Sequence, residues 1–167
     1  MRTKGLSWLV ALAALALPSL SSPVAAGEQV PFRGSLAGVF TITDTFPIAH
    51  VSANLTGNAT HLGRFTLALP HDVNLAATPP AAIGTFVFIA ANGDMVSGTF
   101  TGAVASVAPP VVHVTETATI TGGTGRFAGA TGSFTITRSL VLGSPDPATD
   151  LGTTSGSFDG SISSPGK

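Results

Sequence analysis

The stretch from Thr115 to Phe134, T-E-T-A-T-I-T-G-G-T-G-R-F-A-G-A-T-G-S-F, constrains the fold more than any other part of this chain. Two runs of period-two alternation flank a cluster of glycines. Successive side chains of an extended strand point to opposite faces, so each run reads as a strand. In Val111–Thr121, Val112, Val114, Glu116, Ala118 and Ile120 share one face, and His113, Thr115, Thr117, Thr119 and Thr121 share the other. Beyond the glycines, Phe134 and Ile136 alternate with Ser133, Thr135 and Thr137 in the same way. Between the runs, Gly122, Gly123, Gly125 and Gly129 can supply positive φ and a bulge, and Phe127 can fold over the end. The segment is a β-hairpin with an irregular, glycine-dependent corner.

The same chemistry recurs along the chain. Beyond the first 26 residues no apolar stripe of helical period is present, while Thr, Val, Phe and Ile recur in alternation. Eight strands are predicted: Val30–Asp44, Ile48–Asn58, Arg64–Asn74, Ile83–Ala90, Asp94–Val104, Val111–Thr121, Arg126–Leu142 and Gly152–Ile162. Asn92-Gly93 predicts a two-residue type I′ hairpin turn, which needs positive φ at both positions. Pro79-Pro80, Pro109-Pro110 and Ser144-Pro145-Asp146-Pro147 mark loops, because proline cannot donate to a central ladder. Residues 163–167 are expected to be a disordered tail.

A small-Gly-[Ser/Thr]-Phe unit appears around Phe100, Phe134 and Phe158, placing Gly and Phe on one face and hydroxyls on the other. Alternation of small and large interior residues suits the taper of a small barrel. Each buried phenylalanine contributes about 1.5–3 kcal/mol, and the ten in the sequence suffice for a core. Phe86, Phe88, Phe100, Phe134 and Phe158 are the expected wall of a lumen, and hence candidate ligand-binding residues. On β-patterning alone a sandwich and a barrel both remain open.

Arg2 and Lys4, an apolar run from Leu6 to Leu17, and Val24-Ala25-Ala26 together describe a secretory signal peptide over residues 1–26. The run falls well short of the roughly twenty residues needed to span a bilayer, so no stable membrane anchor is expected after cleavage. Gly27 is the expected first mature residue, and residues 27–162 make one domain. The chain has no cysteine, so a domain of this size must stand on its core alone. Beyond the leader, five basic residues (Arg33, Arg64, Arg126, Arg138, Lys167) face eight acidic ones with no basic stripe, which argues against nucleic acid as a partner. The implied location is secreted or periplasmic.

The G-G-T-G-R-F-A-G-A-T-G run resembles the final hairpin of the allene oxide cyclase and dirigent β-barrels, where G-G-[ST]-G-x-F-x-G-x-x-G joins two strands at one barrel end. Asn92-Gly93-Asp94-Met95-Val96-Ser97-Gly98 is similar to a turn-and-strand of the same cyclases. The resemblance spans Gly84 to Phe134 and implies an all-β, eight-stranded antiparallel calycin-like barrel with a central cavity, among exported bacterial members. It also implies a homo-oligomer, often a trimer. Plant cyclases carry a Glu and an Asn two residues apart on the first strand, followed by a proline. Pro47 matches the proline, but Thr41 and Thr43 stand at or near the two polar positions, and the cavity cysteine has no counterpart. The resemblance therefore extends to the fold and not to cyclisation.

Among residues that could carry chemistry, Glu116 stands out because its phase places a carboxylate among apolar neighbours. A buried charge needs a partner or a function, so Glu116 is the candidate catalytic acid or base. The alternatives are a wet barrel mouth or a structural pair with Arg138 or Arg33. Gly123-Thr124-Gly125-Arg126-Phe127-Ala128 matches a dinucleotide fingerprint, but no helix follows to hold a pyrophosphate, so no cofactor is expected. His50, His61, His71 and His113 lack metal-ligand spacing, so no metal is expected.

Three functions follow in order of preference: an exported barrel holding a small apolar molecule, an isomerase or cyclase using Glu116, and an assembly protein with a filled barrel. For the last, Val87 and Ile89 face away from Phe86 and Phe88 and would form a subunit contact.

Overall fold

Eight strands follow one another in chain order: β1 (Gln29–Thr45), β2 (Ile48–Ala59), β3 (Gly63–Asn74), β4 (Ala81–Ala90), β5 (Met95–Ala108), β6 (Val111–Gly123), β7 (Gly132–Val141) and β8 (Asp150–Ser163). Each pairs antiparallel with the next, and β8 returns to β1 in a ladder running from Gln29↔Ser163 to Ile42↔Asp150. The sheet is thus a closed up-and-down barrel, which leaves no edge for threonine-rich strands with few charges to expose. The computed structural model describes residues 27–143 and 150–163; the expected leader, most of the β7–β8 loop (144–149) and residues 164–167 lie outside the described residues. Ser163, expected in the tail, is instead the last residue of β8.

The alternation read from the sequence is the alternation of the barrel wall. On β6, Glu116, Ala118 and Ile120 are buried while Thr115, Thr117 and Thr119 are exposed. On β7, Phe134, Ile136 and Arg138 are buried between exposed threonines.

The corner differs from the expected continuous strand. Gly125–Phe127 form one 3₁₀ turn, with Ala128 N–H donating to the Gly125 carbonyl, so β7 begins at Gly132 and not at Arg126. The turn swings Phe127 inward to 1% exposure, which an extended backbone would not allow two residues from exposed Gly125. Gly125 and Gly129 supply positive φ (57° and 71°), as expected. Gly122 and Gly123 do not; they lie beside a bulge in which Thr121 is the extra residue between the Gly98↔Ile120 and Ser97↔Gly122 pairs. Side chains tie the corner down. Arg126 Nε donates to Asp94 at 3.0 Å, and Met95 N–H donates to the Thr124 hydroxyl at 3.0 Å. Hydrogen bonds from Asn92 first, then Arg126, hold the Asp94 carboxyl below its ordinary range.

The Asn92-Gly93 turn is also a correction. Only Gly93 has positive φ (88°), and Ala90 N–H bonds to the Asp94 carbonyl across a three-residue loop. A type I turn followed by a left-handed glycine reverses the chain here, the next most common hairpin solution.

The barrel has two unlike halves. At the end bearing the β6–β7 corner, Phe32, Phe65, Phe86, Phe88, Phe134 and Phe158 fill the lumen as one aromatic cluster. Their ring centroids lie 4.9 Å (Phe65–Phe88), 5.2 Å (Phe86–Phe134) and 5.3 Å (Phe134–Phe158) apart, mostly edge to face. Glycines on adjacent strands make room for the rings. A β-carbon on Gly34 would come within 2.7 Å of the Phe158 ring, and one on Gly98 within 2.7 Å of Phe86. This is the physical content of the Gly–Phe repeat.

Candidate functional site

Above the aromatic cluster, in the opposite half, the lumen holds a cavity of about 220 Å³. Val51 and Val73 from β2 and β3, Ala103 from β5, Val114 from β6 and Leu140 from β7 supply its apolar wall. Leu75, Pro80 and Val107 extend the wall to the strand ends, where Phe46 of the β1–β2 turn stands 77% exposed. Of the proline-marked loops, Pro79-Pro80 and Pro109-Pro110 stand at this end.

Three polar side chains reach the cavity: Glu116, Arg138 and His71. Glu116 pairs with Ile136 in the β6–β7 ladder and Arg138 with Val114, so the two are diagonal neighbours on the inner face. Arg138 Nε donates to Glu116 Oε2 at 2.8 Å and Arg138 Nη2 donates to Oε1, a two-pronged pair with both side chains 2% exposed. Of the alternatives left open by the sequence, the pairing with Arg138 is the one the fold adopts. Arg33 instead meets Asp159 on the outside, 3.2 Å away.

The third nitrogen of the guanidinium, Nη1, is buried and finds no hydrogen-bond partner among the described residues. His71 comes from β3, in phase with buried Leu67 and Leu69, and rests edge-on against Phe100 at a centroid distance of 5.4 Å. Its Nδ1 lies 3.0 Å from the Leu69 carbonyl, which can only accept, so Nδ1 carries the proton and Nε2 is left as an acceptor. Desolvation by burial lowers the His71 pKa; the Leu69 hydrogen bond opposes it in part, Arg138 lowers it further, and Glu116 and Asp72 oppose more weakly. Burial favours the neutral ring. An apolar cavity thus ends on one acceptor, His71 Nε2, beside a buried donor without a partner and two charges matched to each other.

The expected lumen phenylalanines are placed differently. None of Phe86, Phe88, Phe100, Phe134 and Phe158 lines the cavity; all are buried, four of them in the aromatic cluster and Phe100 beneath His71. Rings that fit against bare glycines on neighbouring strands pack on one another, which fills their half of the lumen. Phe127 closes that end, while Gly122, Gly123, Gly125 and Gly129 belong to the corner and lie far along the barrel from the polar trio. His71 was legible only through its phase on β3. Val87 and Ile89 do face outward; Ile89 is 41% exposed and Val87 is half-buried.

No protein-family model matches the sequence, and no curated protein does either. Among solved structures, a pterocarpan synthase dirigent protein is similar to this chain at 12% identity, with a TM-score of 0.45 over 89% of this chain and 98% of that one. In fold, the chain is a closed, eight-stranded antiparallel barrel that resembles a dirigent protein.

Proposed function

We propose that the protein binds a small, largely apolar molecule in the half-barrel above the aromatic cluster. The observation that carries this reading is the cavity itself: an apolar wall closed by a small set of oriented polar groups, the usual design of a small-molecule site. Binding is preferred to isomerase chemistry because both carboxylate oxygens of Glu116 are already engaged by Arg138 in a buried structural pair. A wholly filled assembly barrel is disfavoured by the same cavity. The activity is expected after export, once residues 1–26 have been removed near Gly27, and in an oligomer that covers the outward Val87 and Ile89 of β4.

Displacement of a fluorescent apolar probe such as N-phenyl-1-naphthylamine tests the reading. The only tryptophan, Trp8, lies in the expected leader and the chain has no tyrosine, so the background is dark. Probe binding to the wild type that is lost in Val114→Trp, a variant that fills the cavity, supports the proposal. Equal binding by both proteins, or none by either, overturns it.

A further inference from the structure

We propose that the polar end of the cavity selects a neutral hydroxyl group, so that the guest is an apolar alcohol and the carboxylate of the same chain is excluded. This rests on the cavity-binding reading above and adds the chemistry of the guest's head. The hydrogen-bonding inventory leads to it. Arg138 Nη1 is a donor without a partner among the described residues, and His71 Nε2 is an acceptor because Nδ1 is committed to Leu69. A hydroxyl both accepts and donates, so it can donate to the imidazole nitrogen without conflict with the guanidinium beside it. An ether or ketone accepts only and leaves the imidazole lone pair unmet.

Charge disposes of the acid. The guanidinium is already neutralised by Glu116 in a site where both side chains are 2% exposed. A second carboxylate would be stripped of water with no counter-charge left for it and would be repelled by Glu116. An ammonium head fares no better, since Arg138 repels it and the Glu116 charge is already matched. Size sets the body of the molecule. Scaling from a ~150 Å³ apolar cavity that takes benzene, a cavity of about 220 Å³ holds roughly nine non-hydrogen atoms. Longer tails would emerge at the proline-lined end.

The test is competition against the fluorescent probe at pH 8 by octanol, its isomer heptyl methyl ether, and octanoate. With the wild type, octanol should displace the probe about tenfold more effectively than either competitor, the factor expected of one to two net hydrogen bonds. Glu116→Gln removes the matching negative charge and should move the preference to octanoate, seen both in displacement and as a rise in melting temperature on adding octanoate. If that variant fails to fold, His71→Phe decides in its place: it should erase the octanol-over-ether difference while probe binding persists. Octanoate competing as well as octanol in the wild type overturns the inference, and so does an unchanged ranking in folded Glu116→Gln or in His71→Phe. Equal displacement by octanol and ether overturns the hydroxyl assignment and leaves the cavity reading standing. Failure of every compound, the probe included, removes both.

Discussion

Gly102 on β5 lies directly across the ladder from Glu116 on β6, and a β-carbon built on Gly102 would come within 2.7 Å of the Glu116 Cγ. Gly84 stands in the same way opposite His71, and Gly156 opposite Arg138. The Glu116 and His71 side chains therefore occupy space that their cross-strand neighbours leave bare, and Gly156 lets its strand approach the Arg138 backbone. Gly102→Ala should destabilise the barrel by about 1–3 kcal/mol, the usual effect of overpacking, and weaken probe binding by displacing the ion pair. Gly122→Ala is the control, because a β-carbon there meets nothing within 4 Å; its chemical denaturation midpoint should match the wild type.

Acid should loosen the barrel through His71. The folded state holds its pKa below the ordinary 6.5, with burial as the main cause. As pH falls through 6.5, the unfolded chain takes up the proton first, so the equilibrium shifts toward unfolding and stability declines until the folded pKa is reached. Denaturant midpoints measured from pH 8 downward should fall in this window. His71→Phe should flatten that part of the profile, and a slope unchanged by the substitution would assign the effect elsewhere.

The buried ion pair should behave as a unit. Arg138→Met alone strands the Glu116 carboxylate and should cost about 3–5 kcal/mol, whereas Glu116→Leu with Arg138→Met should be close to neutral or stabilising. A double-mutant cycle read by denaturant titration checks this: a large coupling energy is expected, and additive effects would mean that the two charges do not depend on each other.

How much of this could be read beforehand follows from what alternation records. Period two assigns every residue to the inside or the outside, so the eight strands, the burial of Glu116 and the inward phase of Arg138 were all available from the sequence. It carries no information on depth along the barrel axis. That is why the phenylalanines were expected around a guest: Phe134 and Arg138 share a face of β7, yet one packs in the aromatic cluster and the other borders the cavity. Depth is set by the ladder register, which the hairpin corner fixes and which no single strand reveals. His71 escaped notice for a related reason, since its partner Leu69 is a backbone carbonyl with no signature in residue type. The 3₁₀ turn at Gly125–Phe127 was missed because three residues are too few to show a period.

The corner makes its own test. Gly129 has positive φ with nothing within 4 Å of a built β-carbon, so Gly129→Ala should lose about 1–2 kcal/mol from backbone conformation alone. Gly125 has positive φ as well, and a β-carbon there would collide with the Asp94 carboxylate that Arg126 holds. Gly125→Ala should therefore be the more damaging of the two by thermal melting. The reverse order would contradict the role assigned to the Asp94 contact.

The aromatic cluster that fills one half of the lumen makes the molecule a vial and not a pipe. A guest bound as proposed would have one way in and the same way out, entering head first and leaving by its tail. Exchange then depends on the few loops around that single rim, and substitutions there should change how fast a guest comes and goes while leaving its final tightness to the residues at the bottom.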